Sequence, residues 1–381
     1  MEKQEWLLIF FMFFASITSC TDKKQSTGEI IHIDVSKNYP EKVITLEDIA
    51  DVEYVQMEVH DDYLFKASPQ YISSSTIMIN DYTTNDFLFF TSDGKPKSKF
   101  NHYGEGPGDY SFVFLIAYDE KEDKVFVLSN NKILVYSSDG TFNYSIALHE
   151  GAKIKSITVY DEESLLIYND SDVYDNNNFV RISKKDGSVI DRINNTGHKD
   201  ISLYARSESE DAGFVIIATT YPVLRYKDGF LLTDYSKDTV FFYSRNNELS
   251  PVLVRTPTIF EMNPYTIINS FVEAGDYLFF RSLSLKIENN NLPTTFLMIN
   301  KNDHSVYRQK ILLKDYKGKE VSLCPFNISI SANPEVGLMQ LNLSELQDAY
   351  NENKLSGKLK EMVEASDDDS NNIYMILKFK K

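Results

Sequence analysis

Three histidines open the chemical reading of this chain. His102, His149 and His198 stand 47 and 49 residues apart, each just after an apolar run. Imidazoles at matching points of a repeat could converge on a divalent metal through their neutral ring nitrogens. Their neighbours differ, however. A Gly-rich turn follows His102, whereas Glu150 and Lys199 follow the other two, and three solvated loop histidines are the plainer reading. The segment 102–110 (HYGEGPGDY) is the most unusual in the chain. Gly104, Gly106 and Gly108 with an intervening proline fix a compact loop. Their amides could bind an anion or carbonyl. Tyr103 and Tyr110 flank the turn as amphipathic contact surfaces, and His102 with Asp109 adds a titratable pair. The structural alternative is a corner that only Gly and Pro can turn. Asp367, Asp368 and Asp369 lack the alternating oxygen ligands and glycine of a calcium loop and read as a solvated turn. No nucleophile elbow, zinc-protease helix or phosphate loop occurs. The acidic residues are too numerous to single out a catalytic pair. No catalytic residue and no cofactor is therefore assigned.

Cys20 carries a different chemistry. It follows nine consecutive apolar residues (6–14, WLLIFFMFF) and the short segment Ile17-Thr18-Ser19. Nine residues are too few to span a bilayer as a helix, which takes about 20, but they suit the core of an export signal. Ile17 to Cys20 resembles a bacterial lipobox, in which cleavage precedes a cysteine that then takes a diacylglycerol. The competing reading is an uncleaved anchor with an incidental cysteine. Loss of residues 1–19 removes one lysine and two glutamates from totals of 39 basic and 56 acidic side chains, leaving a net charge of −16. That argues against nucleic acid and anionic lipid as charge-driven partners. With Cys20 acylated, Cys324 has no partner for a disulfide, so stability rests on core burial. Residues 21–29 are polar and aperiodic, as in a tether.

The elements that must position these residues are strands. Tyr (24) and Phe (25) are abundant, and apolar runs of four to six residues alternate with Asp, Asn, Gly and Ser, the pattern of an all-β chain. Residues 87–94 (FLFFTSDG), 133–140 (ILVYSSDG) and 180–187 (VRISKKDG) each end a strand in an Asp-Gly turn, where glycine supplies positive φ. The aspartates are 46 and 47 residues apart. Asn-rich copies follow at 240–248 and 296–304, and each copy is preceded by another strand pair. Four strands per unit at this period predict propeller blades. Five units fall between 71 and 313, and a sixth, irregular one spans 321–381. The strand at 52–59 (VEYVQMEV) has no turn partner of its own and is predicted to pair into the last blade and close the ring. A pair of β-sandwiches is the competing fold. Ser344 to Gln347 has capping-box form, and Leu346, Tyr350, Leu355, Leu359, Met362 and Val363 fall at helical spacing. This predicts a short helical insertion against the propeller flank, with a lid or partner face as the alternative.

Several of these stretches resemble one family, the six-bladed β-propeller lipoproteins abundant in Gram-negative gut bacteria. The similarity is carried by GEGPGDY (104–110), SKDTVFFYSRNNELSPVLV (236–254), GDYLFFRS (275–282) and NNIYMILKFK (371–380), and extends from about Ile44 onward. Asp109 stands where that family usually has Glu. The resemblance implies the fold and an envelope location. It implies no activity.

The expectation is an all-β, six-bladed β-propeller with a short helical insertion in the last blade. Residues 1–19 form a lipoprotein signal peptide, 20–43 a lipidated tether and 44–381 the propeller. The function expected is that of a non-catalytic ligand- or protein-binding module of the cell envelope. Its partner would be an envelope protein, a peptide or a glycan, bound at His102, Tyr103, Gly104, Gly106, Gly108, Asp109 and Tyr110. The alternative is a channel-centred enzyme, either a metal-dependent lyase or a glycan hydrolase. The lipid on Cys20 would hold the chain at the outer membrane. Lys23 and Lys24 after Asp22 favour the periplasmic face over the cell surface. Metabolic labelling with a lipid precursor should mark the protein, and the label should vanish in Cys20→Ala. Label retained by that variant rules out acylation at Cys20.

Overall fold

The computed structural model describes residues 30–194, 199, 201–207, 213–325, 328–330, 333–367 and 369–381. The expected signal at 1–19, Cys20 and the polar residues 21–29 lie outside them, as do His198 and Asp368. Six twisted antiparallel sheets form the blades of a propeller. Each runs outward from a first strand near the axis. Blade 1 spans residues 71–100, blade 2 115–147, blade 3 154–193, blade 4 223–256 and blade 5 266–312. Blade 6 takes three strands from residues 329–379 and its outer strand, Ala50–Gln56, from the other end of the chain. That strand pairs antiparallel with Ile373–Phe379, opposing Tyr54 to Met375. The predicted ring closure is what the register shows.

Strand side chains alternate between the two faces of a sheet. Here both faces are buried, which is why the sequence reads as unbroken apolar runs. In blade 1, Phe87 and Phe89 enter a core shared with Tyr118, Val125 and Tyr136 of blade 2. Leu88 and Phe90 enter one shared with Tyr374 and Ile376 of blade 6. Six such clusters fill the six interfaces between neighbouring blades.

The turn before each of the first three outer strands touches the previous blade. Gly140 has φ +90, and a Cβ there would lie 2.5 Å from Cβ of Phe100, on the outer strand of blade 1. Asp139 stabilises the turn by accepting from the Thr141 amide at 2.9 Å. This is the physical content of the Asp-Gly repeat: glycine both takes the conformation and lets the blades close.

Three features depart from the reading above. The tether drawn to residue 43 is shorter, because Ile31–Asp34 and Glu41–Thr45 are strands. They add parallel to the outer edges of blades 4 and 5, and Ile31 and Ile33 are buried between those blades. An extra hairpin, Tyr204–Arg206 with Val215–Ile217, stands between blades 3 and 4. The helical insertion is present as Leu343–Asn351 and Gly357–Ala365, and Leu346, Leu359 and Val363 pack into the interface of blades 5 and 6. Its cap is Asn342 rather than Ser344. The Asn342 side chain accepts from the amides of Ser344 and Glu345, the second and third helical residues, whose amides have no carbonyl partner within the helix. Among the described residues no helix is long and apolar enough to cross a membrane.

Gly140→Ala should cost about 2–4 kcal/mol, from the left-handed backbone and the clash together. Gly318 has φ +81 but nothing within 4 Å of an added Cβ, so Gly318→Ala should cost only about 1–2 kcal/mol. Urea unfolding of both variants checks the difference, and equal losses would show that the contact with Phe100 contributes nothing.

Candidate functional site

The loop 101–114 leaves the outer strand of blade 1 and enters the first strand of blade 2. Its polar groups are engaged within the loop and with its two blades. The Asp109 carboxylate accepts from the Gly106 amide at 2.8 Å, and the Gly104 amide donates to the Tyr110 carbonyl at 3.1 Å. Side chains at Gly104 or Gly106 would collide with Asp109. His102 donates from Nε2 to the Gly140 carbonyl at 2.7 Å and stacks on Tyr136 at 5.1 Å between ring centres. Its Nδ1 is 3.9 Å from Asp109, too long for a hydrogen bond. Gly108 packs against Phe142 and gives its carbonyl to the Tyr136 hydroxyl at 2.6 Å. Tyr110 is fully buried. Its hydroxyl donates to the Asn85 carbonyl at 2.7 Å and accepts from the His102 amide at 2.9 Å. Of the predicted contact residues only Tyr103, 61% exposed, presents a large open surface. The seven residues thus come together as one corner, and none of them lines the central cavity.

The two described histidines of the set, His102 and His149, do not share a site. His102 belongs to the interface of blades 1 and 2. His149 bonds the Glu150 carbonyl and meets the edge of Tyr174 in blade 3. Among the described residues no three His, Cys, Asp or Glu side chains converge as a metal set.

The central channel is built by the first strands of the blades. A cavity of about 390 Å³ is lined by residues 68–71, 116–118, 156–159 and 223–225 with Met78, Tyr221, Pro325 and Ile328. Arg225 is its one charged lining residue. It enters the channel because it stands on the short first strand of blade 4, Val223–Tyr226, where Tyr226 turns into the core between blades 4 and 5. One Nη donates to the Val159 carbonyl at 2.6 Å, and the guanidinium lies 5.1 Å from the centre of the Phe230 ring. Burial, with Arg245 nearby, pushes its pKa down to about 10. Arg245 lies over the opposite part of this aromatic stack, 5.2 Å from Phe230 and 5.0 Å from Tyr160. Arg181 covers Tyr160 at 4.0 Å and pairs with Asp161 at 2.9 Å. Burial also pushes the Tyr71 phenol up, reinforced by Glu120.

Arg225 also lines a second cavity of about 510 Å³, formed with Phe271, Phe379, Glu273 and Lys301. This one opens among the turns that join first to second strands in blades 4, 5 and 6. Loop 101–114 belongs to the other face of the disc, where outer strands pass to the next blade.

A family model described as a domain of unknown function, DUF4934, matches residues 30–378. The chain belongs to the DUF4934 family. No curated protein matches the sequence. Among solved structures, a Bacteroides fragilis protein named for its inferred export shares the architecture of this DUF4934 chain. It has a TM-score of 0.65 and 15% identity, over 93% of this chain and 100% of its own. The Neurospora crassa Pan2 WD40 domain aligns over 92% of this chain and 98% of its own, at 10% identity and a TM-score of 0.40. A catalytically inactive virginiamycin B lyase from Staphylococcus aureus aligns over 63% and 79%, at 14% and 0.35. The first likeness is one of fold, and the other two are too loose to say more.

Arg225 and Arg245 escaped the sequence reading, although VLRYKDGF (223–230) was legible as a strand pair. The available signal was an arginine inside an apolar first strand. The corner, by contrast, yields a prediction about stability. Tyr110→Phe removes a hydroxyl that pairs two peptide groups, and should cost about 2–3 kcal/mol. Tyr103→Phe should stay within about 0.5 kcal/mol. Denaturant melts compare them, and a neutral Tyr110→Phe would contradict a structural role.

Proposed function

We propose that this DUF4934 chain is an envelope lipoprotein, anchored through Cys20, whose propeller binds a ligand in its channel without transforming it. The observation that carries this reading is the makeup of the channel wall. One guanidinium, three tyrosines (Tyr71, Tyr118 and Tyr221) and aliphatic side chains line the cavity. Such a surface holds and orients a ligand: aromatic rings give rigid contact area and a single cation sets polarity. Acid–base or hydrolytic chemistry calls for a second convergent ionisable group, and the hydroxyls of Tyr71 and Tyr118 are engaged with carboxylates outside the cavity lining. Tyr71 donates to Glu120 at 3.4 Å and Tyr118 to Asp123 at 3.1 Å. The partner is an envelope peptide, protein or glycan, and the anchor faces the periplasm at the outer membrane.

The test fills the channel. Ser156 lines the cavity and is part-exposed, so Ser156→Trp should obstruct it while sparing the blade cores. Peptide and glycan arrays probed with the full chain should give hits that this variant loses at an unchanged melting temperature. Hits that persist would move binding away from the channel. Protease added to intact cells should leave the protein whole, and digestion there would place it on the cell surface instead.

A further inference from the structure

We propose that Arg225 anchors the carboxylate of a small monoacid whose apolar body lies along the channel wall. This deepens the binding reading above and rests on it. Four observations converge on this residue.

The first is its isolation. Nε and the second Nη of Arg225 have no hydrogen-bond partner, and among the described residues no carboxylate lies within ion-pairing distance of it. The nearby acids are engaged. Asp119 is held by Lys184 at 2.5 Å, and Glu120 accepts from Ser75 at 2.5 Å. Arg245 adds positive charge rather than neutralising it. The Nη bonded to Val159 keeps a second N–H, which runs parallel to an N–H of Nε or of the other Nη, and such a pair takes a carboxylate through two hydrogen bonds.

The second is the count of charge. A single cation in a wall otherwise made of tyrosine, aliphatic and small polar side chains balances a single negative charge. A dianion there would be left half compensated in a poorly solvated site. This favours a carboxylate over a phosphate monoester.

The third is the cavity itself. Ile116, Ile157, Leu224 and the Tyr71 and Tyr118 rings border it, and its volume of about 390 Å³ lies near the low end of ligand pockets. That suits one aromatic or branched side chain attached to the acid.

The fourth is the approach. The outer cavity on the far side of Arg225 is lined by Lys227, Lys301, Lys380 and Lys381, against Asp228, Glu273 and Glu335. Lys301 pairs with Glu273 at 2.5 Å, Lys381 with Glu335 at 2.8 Å and Lys380 with Asp51 at 3.8 Å, which with Arg225 sets five cations against four carboxylates in a chain of 39 basic and 56 acidic side chains. The entrance is thus close to charge balance on a strongly anionic molecule, so an anion meets less repulsion there than over the rest of the surface.

Isothermal titration of the full chain in detergent with phenylacetate and with phenylacetamide tests this without a variant. The acid should bind at least about tenfold tighter than the amide, as expected for a charge-assisted pair. Arg225→Gln should erase that preference and leave the amide unchanged, and Arg225→Lys should keep part of it. N-acetylphenylalanine and glucuronate, run in parallel, distinguish a peptide end from a sugar acid as the natural source. Equal affinity for acid and amide would overturn the carboxylate subsite while leaving the channel a binding site. A preference that survives Arg225→Gln at an unchanged melting temperature would overturn the assignment to Arg225. No binding of any of the four probes would overturn the inference together with the channel reading.

Discussion

Phe87 and Phe89 point into one blade interface and Leu88 and Phe90 into the other, and this two-sidedness recurs in every sheet of the ring. Val125 and Val127 of blade 2 face blade 1, whereas Phe126 and Leu128 face blade 3. Leu165 and Ile167 face backward from blade 3, and Leu166 and Tyr168 face forward. A sheet that is apolar on both sides needs a neighbour on both sides. A row of such sheets can satisfy its two end members only by bringing them together. The pairing of Ala50–Gln56 with Ile373–Phe379 is therefore the step on which the other five interfaces depend. It completes the last blade from the two ends of the chain and removes the exposed faces that an open row would carry.

Close contact between blades then decides where polar groups can go. Glycine turns such as that at Gly140 bring blades 1 to 3 against their predecessors. Ionisable side chains are left with the rim, the two faces and the channel. Lys184, in the turn before the outer strand of blade 3, reaches Asp119 of blade 2 at 2.5 Å and is buried there. Such a pair loses hydration on both partners and recovers it only through close geometry. Arg225 differs because it has no carboxylate to face. It is held by a carbonyl and an aromatic ring, in a wall where every other lining residue is uncharged. The corner at 101–114 shows the opposite economy. Asp109, His102 and Tyr110 satisfy the backbone and neighbouring turns, so an unusual sequence there marks a difficult bend rather than an open surface.

The repeat was legible because its cause is local. Asp-Gly at 93–94, 139–140 and 186–187 follows from the φ that each turn demands, and the apolar runs follow from double burial. Both leave marks within a few residues of each other. Ring closure was legible for a related reason, since 52–59 is a strand pattern without a turn partner. The parallel additions at Ile31–Asp34 and Glu41–Thr45 were not, because each is short and pairs with a strand more than 200 positions away. The channel was the least legible part. Tyr71, Tyr118, Val159 and Arg225 become neighbours only through blade order, and no spacing along the chain distinguishes an axis-facing arginine from one on the rim. Conversely, the Gly-Pro segment drew attention because glycine reports a close approach of side chains to the backbone, here of Asp109 and Phe142, whether or not a ligand is involved.

The amino-terminal strands connect these parts. Residues 31–56 lie along the outer edges of blades 4, 5 and 6 in turn, and the same three blades build the outer cavity next to Arg225. Under the proposed anchoring at Cys20, ten residues separate the lipid from Ile31, a reach of at most about 35 Å. The tether therefore joins the disc at its rim beside blade 4, not at the middle of either face. A rim attachment leaves both ends of the channel clear of the anchor. It also joins the chain to the same three blades that form the entrance beside Arg225.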